Sequence, residues 1–421
     1  MREAAKPFQL EQLPTVSEAR RRLLEALPPY RPAEEQVDLT EGVGRVLARE
    51  VRAGGALPGF ARSTMDGYAV RARDTRADAH GAAGPVLRVR GRVRMGRAPE
   101  VTVGPSEAVW IPTGGMLPQG ADAVVPVEQT APATADSGQI VVMRPVEPGE
   151  NVLPAGADLA AGAVLLRPGH RLRPQDVGAL AAVGCVAPWV YRRPVVAIFS
   201  TGDELVPPHR QPGPGQVRDA NLYSLAAAVR ADGGVPRLGG IVPDRPDGWR
   251  AALREGLQWD MVLLSGGSSV GLDDIAADII RELGPPGILV HGVRVAPGKP
   301  TLLALVGDRV VCVLPGHPVS ALVTYELFAR PALYWRMGRR PEDPWQATVR
   351  ARLAADIQAP AGRELHARVR LAVEDGELVA HPLRGGSGQL TTLVQADGLV
   401  TVPLARGRLP AGERVEVRLF C

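Results

Sequence analysis

The pattern of apolar positions changes period several times along the chain, and each change marks a different kind of element. Thr15 and Glu18 form a capping-box signature, and Ala19, Leu23, Leu24 and Leu27 then recur at helical spacing, which predicts an opening amphipathic helix. From about Val51 to Val146 short β-rich runs take over, such as Val86 to Val93 and Glu107 to Pro112, broken by Gly and Pro. A small β domain is expected there. Between Leu159 and Val190 the pattern is mixed. A helix is expected from Pro174 to Val183, with Pro in its first turn and Gly184 just past its end, and this segment is expected to return to the opening helix.

From Arg193 the pattern becomes regular. Val195 to Ser200 is an apolar run without alternation, as in a strand buried on both faces of a parallel sheet. Expected helices at Asn221 to Arg230, Gly248 to Leu257, Asp274 to Leu283 and Val319 to Leu333 are interleaved with further apolar runs, the pattern of a doubly wound α/β domain. The Arg- and Pro-rich stretch after Arg336 reads as a linker. From Trp345 to Cys421 strands alternate, with a type I′ hairpin expected at Asp375-Gly376. The predicted fold class is therefore multidomain α/β plus β. It comprises a discontinuous N-terminal mixed domain (1–50 and 151–190), an inserted β-rich domain (51–150), a doubly wound α/β domain (191–337) and a C-terminal β-barrel-like domain (338–421).

Composition narrows the function classes. With 421 residues, 45% hydrophobic and 22% charged, the chain has the apolar content to fold throughout, and its 48 Gly and 40 Pro are scattered as turns. The net charge is +4, and no basic block carries interleaved aromatic residues, so nucleic-acid binding has little support beyond the basic balance, which small anionic ligands fit equally well. Cys185, Cys312 and Cys421 are far apart and form neither a disulfide framework nor a zinc knuckle. The N-terminus has no apolar signal region and no stretch is long enough to span a bilayer, so a cytoplasmic protein without membrane contact is expected.

The candidate chemistry lies just past the carboxyl ends of the α/β strands. Ser200 to Glu204, Asp244, and the Gly-rich run Ser265, Gly266, Gly267, Ser268 through Asp274 all fall at the edge where open α/β sheets bind ligands. Free N–H groups of a Gly-rich turn suit an anion, whereas Glu204, Asp244 and Asp274 repel one unless a hard divalent cation lies between; the combination points to phosphate with Mg²⁺. Pro297-Gly298-Lys299-Pro300 and Leu314-Pro315-Gly316-His317-Pro318 are expected at the same edge. Lys299 there is either held by its flanking prolines for phosphate or oxyanion or is a solvated surface charge, spacing alone favouring neither, and His317 reads as a neutral histidine hydrogen-bonded in a turn. A rival reading takes Gly267 to Gly271 as a G-x-S-x-G nucleophile elbow, but no acid lies between Ile288 and Gly307 to complete a triad.

Read together, Ser63 to Ala69 (STMDGYA), Ile111 to Val125, STGDEL, SGGSSVG, PGKPT and LPGHPVSA resemble, in order, the molybdopterin molybdenumtransferase (MoeA) family, to which the C-terminal part of gephyrin also belongs. The resemblance runs from about Glu18 to the end. It implies a molybdopterin-binding α/β domain and an Mg²⁺-assisted reaction that inserts molybdate into adenylylated molybdopterin and releases AMP. It implies roles for Glu204, Asp244 and Asp274 on the metal or in positioning water, for Lys299 on phosphate or oxometalate, and for Asp66 and Thr113 of the inserted domain in catalysis. Asp158, Ser265, Gly266, Gly267, Ser268, Gly298, Pro315, Gly316, Arg363 and Ser387 are implied in substrate binding. It further implies a homodimer with a shared site, and molybdopterin adenylyltransferase and molybdoenzyme apoproteins or their chaperones as partners. A scaffold or cofactor carrier without turnover is the alternative within the same family. Many relatives carry Lys where this chain has Ala296 and Asn where it has His317; Arg294, on the same face of the strand as Ala296, is the expected substitute cation.

Overall fold

A computed structural model describes residues 10–28, 32–76, 84–134, 138–266, 272–339 and 347–420, the side chains of 272–274 excepted. The chain divides into two compact units. One comprises Met1–Glu35, Gly44–Ala48 and Val190–Cys421, the other Gln36–Val43 and Arg49–Trp189.

The first unit opens with α1 (Val16–Ala26), whose Thr15 hydroxyl accepts from the Glu18 N–H while the Glu18 carboxylate accepts from the Thr15 N–H, the reciprocal cap expected from the sequence. In the second unit, β1 (Gly67–Val70), β2 (Val86–Arg92), β3 (Glu107–Ile111), β4 (Ala123–Pro126), β5 (Thr130–Pro132) and β6 (Gln139–Val142) form a six-stranded sheet ordered β4-β1-β3-β2-β6-β5. Its strands bury apolar residues on both faces, around Leu87, Ala108 and Val125 on one and Val93, Val109 and Val124 on the other. The helix α2 (Pro174–Ala182) follows, with Pro in its first turn.

The α/β layer of the first unit contains β7 (Val195–Thr201), α3 (Asn221–Ala231), β8 (Val235–Val242), α4 (Pro246–Gly256), β9 (Met261–Ser265), α5 (Leu272–Leu283), β10 (Pro286–His291), β11 (Leu302–Val306), β12 (Arg309–Leu314), α6 (Pro318–Thr324) and α7 (Arg330–Arg336). The sheet order is β8-β7-β9-β12-β11-β10. Alternate residues of each central strand go to opposite cores. Ile198, Leu263 and Cys312 pack with α1, α3, α6 and α7 on one side, whereas Phe199, Leu264 and Val313 pack with α4 and α5 on the other. That two-sided burial explains the unbroken apolar runs.

Two features differ from the sequence reading. The sheet is mixed: β8, β7, β9 and β12 are parallel, but β11 runs antiparallel to both β12 and β10. The tight turn Gly307-Asp308 reverses the chain between Val306 and Arg309, which are paired. The long helix expected from Val319 to Leu333 is interrupted by one π-helical turn, Tyr325–Ala329. This turn places Tyr325 and Arg330, five residues apart, on the same carboxylate: Asp232 accepts from the Tyr325 hydroxyl at 2.7 Å, Arg330 Nε at 2.8 Å and the Tyr334 hydroxyl at 2.9 Å.

The remaining strands are β13 (Thr348–Leu353), β14 (Glu364–Glu374), β15 (Glu377–Pro382), β16 (Gly398–Val402) and β17 (Arg414–Leu419). They pair in the order β14-β15-β13-β17-β16, and β16 pairs back to β14, closing a five-stranded barrel around Leu353, Val369, Val400 and Val417. Asp375 and Gly376 have φ of 50° and 79° between the paired residues Glu374 and Glu377, the two positive φ values a type I′ turn requires.

Candidate functional site

Two hollows lie in the first unit and share one wall. The first, of about 410 Å³, opens at the carboxyl edge of the sheet and is lined by the ends of β7, β9 and β12. Glu204, Asp244, Ser265, Gly266 and Gly316, from four separate segments of the sequence, meet there. Because β11 is antiparallel, its amino end also lies at this edge. That is where the sequence places Gly298 and Lys299, although neither lines the first hollow.

Local folding accounts for the arrangement. Gly266 has φ of +138°, and a Cβ there would stand 2.2 Å from Thr201 Oγ1 and 2.3 Å from the Thr201 carbonyl oxygen, so only glycine lets the ends of β7 and β9 approach this closely. Ser265 Oγ accepts from Asn221 Nδ2 at 2.8 Å and donates to the Pro315 carbonyl, while Asn221 Nδ2 also donates to the Gly316 carbonyl at 2.7 Å. Asn221, the first residue of α3, thereby ties that helix to two strand ends. Asp219 Oδ1 accepts from Ser200 Oγ at 2.9 Å and from the Leu222 N–H at 3.0 Å, which places a carboxylate at the amino end of α3. Neither Asp219 nor Asn221 was singled out in the sequence, since each reads as an ordinary polar residue ahead of a helix.

The lining is rich in unused acceptors. Thr201 Oγ1, Asp219 Oδ2, Asn221 Oδ1 and Asp244 Oδ1 are buried without a hydrogen bond among the described residues. Burial raises the pKa of Asp244 above the usual aspartate value, and the nearby Asp203 and Glu204 carboxylates push it further. Oxygen donors in a site that disfavours their own negative charge suit a hard cation such as Mg²⁺. Among the described residues no three acidic, His or Cys side chains stand together as a ready-made metal cage. The Asp274 side chain, with Gly267 and Ser268 and hence the G-x-S-x-G run, lies outside the described residues.

The second hollow, of about 420 Å³, is lined by barrel residues and by Ala296 of the short strand Val295–Ala296, which pairs in parallel with the start of β14. Arg368, on β14, is 7% exposed; its Nη2 donates to the Gly385 carbonyl at 2.6 Å, and its Nε is buried without a hydrogen bond. Burial lowers its pKa from the usual value, with no carboxylate among the described residues to compensate. Ser387 lines this hollow, and Ser387 Oγ lies 2.9 Å from His317 Nδ1. The Ser387 carbonyl also accepts from the Val319 N–H, fixing loop 384–388 to the start of α6. Gly388 lines the first hollow, whereas Arg384, Gly385 and Ser387 line the second, so this loop is the shared wall.

The remaining site residues separate. Lys299 is half-buried and lines neither hollow, though Pro297, two residues before it, lines the second. Gly298 has φ of +120° and a Cβ there would be 2.3 Å from Thr324 Cγ2; its carbonyl accepts from Thr301 Oγ1. Pro315 holds its turn through the Ser265 contact. Arg363 lines neither hollow; Arg368, five residues on, occupies the place beside Ser387. Arg294, the expected substitute cation, donates from Nε to the Gly362 carbonyl at 3.0 Å and lines neither hollow either. In the second unit Asp66 Oδ1 accepts from the Thr113 N–H at 2.6 Å and from Thr113 Oγ1 at 2.9 Å, and these bonds hold the Asp66 carboxyl below the usual aspartate value. Asp158 is exposed, with its N–H donated to the Leu57 carbonyl. His317 is exposed at the start of α6, and its ring bonds not within its own turn, as expected, but to Ser387 Oγ, 70 positions later in the loop after β15. Among the described residues no helix is long and apolar enough to cross a membrane.

Comparison with known proteins places this architecture. Residues 14–184 match the MoeA N-terminal region (domain I and II), 197–335 a probable molybdopterin binding domain, and 350–420 the MoeA C-terminal region (domain IV). The chain is 35% identical over 390 residues to a molybdopterin molybdenumtransferase of Nostoc sp., covering 91% of this chain and 88% of that protein. It is 34% identical over 410 residues to molybdopterin molybdenumtransferase 2 of Mycobacterium tuberculosis, covering 96% and 98%. A crystal structure of the molybdopterin biosynthesis MoeA protein from Pyrococcus horikoshii superposes with a TM-score of 0.83 at 30% identity, covering 97% of this chain and all of that one. The chain belongs to the molybdopterin molybdenumtransferase family, whose members act in molybdenum cofactor biosynthesis.

Proposed function

We propose that the protein transfers molybdate to the dithiolene of adenylylated molybdopterin and releases AMP. The observation that carries this reading is the pair of hollows on either side of loop 384–388, one lined with carboxylate and other oxygen acceptors and one holding a buried arginine that no carboxylate neutralises. The first suits the adenylyl phosphate with a divalent cation. The second suits a small tetrahedral oxyanion.

Glu204 and Asp244 would hold Mg²⁺, which when bound would supply positive charge against that developing on the phosphoryl oxygens. The chain's own residues orient and desolvate the reactants. Asp219 and Asn221 offer fixed acceptors to N–H or O–H groups of the nucleotide-linked pterin, and Arg218 stands at the rim, held by the Pro208 carbonyl and Gln211. Arg368 and Ser387 hold molybdate. An oxygen of water or of molybdate attacks the AMP phosphorus, the bond from that phosphorus to the pterin-side oxygen breaks, and AMP forms with the attacking oxygen; as the two dithiolene sulfurs lose their protons and bond molybdenum, one Mo–O bond breaks, its oxygen leaving with AMP where molybdate attacked and as water with the thiol protons where water did. No protein nucleophile takes part.

A homodimer in which Asp66 and Thr113 of one copy serve the other copy's hollow belongs to the same reading. Mixing inactive Asp66→Asn and Asp244→Asn copies is then expected to restore part of the activity. The decisive test incubates the protein with adenylylated molybdopterin, Mg²⁺ and molybdate and measures AMP by chromatography. AMP formation that depends on molybdate and Mg²⁺ is expected. Binding of the pterin without AMP release would instead favour a scaffold or cofactor carrier.

A further inference from the structure

Four ionisable side chains line the second hollow: Asp356, His366, Arg368 and Arg384. Asp356 is already neutralised, since its carboxylate pairs with Arg408 and accepts from the Ala411 N–H. His366 is 2% exposed and burial lowers its pKa, which keeps the ring uncharged at neutral pH. Arg368 has no acidic partner among the described residues. Arg384 is exposed and makes no hydrogen bond or ion pair with the described residues. Among the side chains that line the hollow, two positive charges therefore stand without a negative one to balance them; the nearby Glu364 carboxylate, 2.9 Å from His366 Nε2, lies outside the lining.

We infer that Arg384 is the second cationic ligand of this hollow and sets its preference for a doubly charged oxyanion. The inference rests on the reading of the hollow as the molybdate site and adds a residue to it. The two arginines differ in mobility. Arg368 is fixed in the barrel wall, with its Nη2 on the Gly385 carbonyl. Arg384 immediately precedes Gly385, so that same bond anchors its backbone while its guanidinium stays free at the mouth. A tetrahedral dianion entering the hollow gains the fixed charge at depth and the mobile charge at the rim. A monoanion of the same shape is neutralised by Arg368 alone and gains less from the second. Arg384 thus distinguishes anions by charge, and its exposed position also lets the bound anion leave.

The experiment measures binding of molybdate and of perrhenate, a tetrahedral monoanion, by equilibrium dialysis to the full-length protein and to Arg384→Lys, Arg384→Ala, Arg384→Glu and Arg368→Ala. Thermal unfolding confirms that each variant is folded, and Ser387→Ala replaces Arg368→Ala if the latter does not fold. Arg384→Ala is expected to weaken molybdate about fivefold, near the ceiling for one solvent-exposed ion pair. The lysine variant should lose less and the glutamate variant more, and perrhenate should change less than molybdate throughout. Wild-type affinity in Arg384→Ala, with binding lost in Arg368→Ala, overturns the role of Arg384 and leaves the hollow as the oxyanion site. An equal loss for both anions makes Arg384 a general surface charge and also overturns the inference. Wild-type molybdate affinity in Arg368→Ala or Ser387→Ala, or no binding by the unaltered protein, removes the hollow as an oxyanion site and Arg384 with it.

Discussion

Asp244→Asn removes one negative charge from the first hollow at nearly constant volume, and it should move stability and turnover in opposite directions. Asp244 Oδ1 is buried without a hydrogen bond among the described residues, and Asp203 and Glu204 add repulsion. The folded carboxyl therefore titrates above the unfolded one. A group of that kind contributes stability that is complete below its unfolded pKa and is lost as the pH rises through its folded pKa, so at neutral pH the ionised Asp244 destabilises the fold. A buried acceptor left without a partner costs about 1 to 3 kcal/mol, and the partial exposure of Asp244 puts the effect near the lower end, about 1 kcal/mol. Asparagine keeps an oxygen at the site but discards the charge. Unfolding of Asp244→Asn at pH 7 in EDTA is expected about 1–2 °C above wild type, with the gain shrinking as the pH falls to about 4. Mg²⁺ should then raise the wild-type midpoint more than that of the variant, and AMP release should fall at least about tenfold, equivalent to about 1.4 kcal/mol of transition-state stabilisation. A variant less stable than wild type in EDTA at pH 7, or one that releases AMP at the wild-type rate, would refute this account of Asp244.

Three further changes test how the hollows are supported. Gly266→Ala forces a Cβ against the Thr201 backbone at a positive φ and should lower stability by more than about 1 kcal/mol, read from the urea midpoint; an unchanged midpoint would mean the ends of β7 and β9 separate freely. Asp232→Ala leaves Arg330 buried without its closest partner at the far end of α3 from the first hollow, and should cost about 3–5 kcal/mol in the same assay, whereas a loss below about 1 kcal/mol would show that Glu326 alone neutralises Arg330. Thr113→Val keeps the backbone N–H to Asp66 but removes the hydroxyl donor, so Asp66 should titrate at higher pH in a carboxylate NMR titration. Identical curves would show that the hydroxyl contributes nothing.

Much of this architecture is legible in the residues because local chemistry decides it. The Thr15–Glu18 cap and the Asp375-Gly376 turn are set by side chains within a few positions, and the apolar runs Val195 to Ser200 and Met261 to Leu264 are unbroken because both faces of those strands are buried. What escapes depends on partners distant in sequence. Leu302 to Val306 looks like any parallel core strand, since apolar residues do not encode direction, and the only local sign of reversal is the two-residue turn at Gly307-Asp308. The π-helical turn at Tyr325 cannot be seen in the helical periodicity because its cause is Asp232, 93 positions earlier.

The same distinction decides which parts of the candidate site the sequence reveals. Glu204, Asp244 and Ser265 follow apolar strands directly, and the rule that ligands bind at the carboxyl edge of an α/β sheet brings them together without coordinates. Arg368 follows no such rule. In Glu364 to Leu371 it alternates with apolar positions and reads as an outward-facing residue of a barrel strand, which makes Arg363 look equally eligible. It is buried only because the loop after β15 folds back over it, placing the Gly385 carbonyl on its guanidinium and Ser387 beside it. That loop is tied in turn to the start of α6 by the Val319 N–H and His317. The barrel therefore supplies a wall to both hollows. A charge that looks like surface in one segment becomes a binding group only once the segment 17 residues later closes over it.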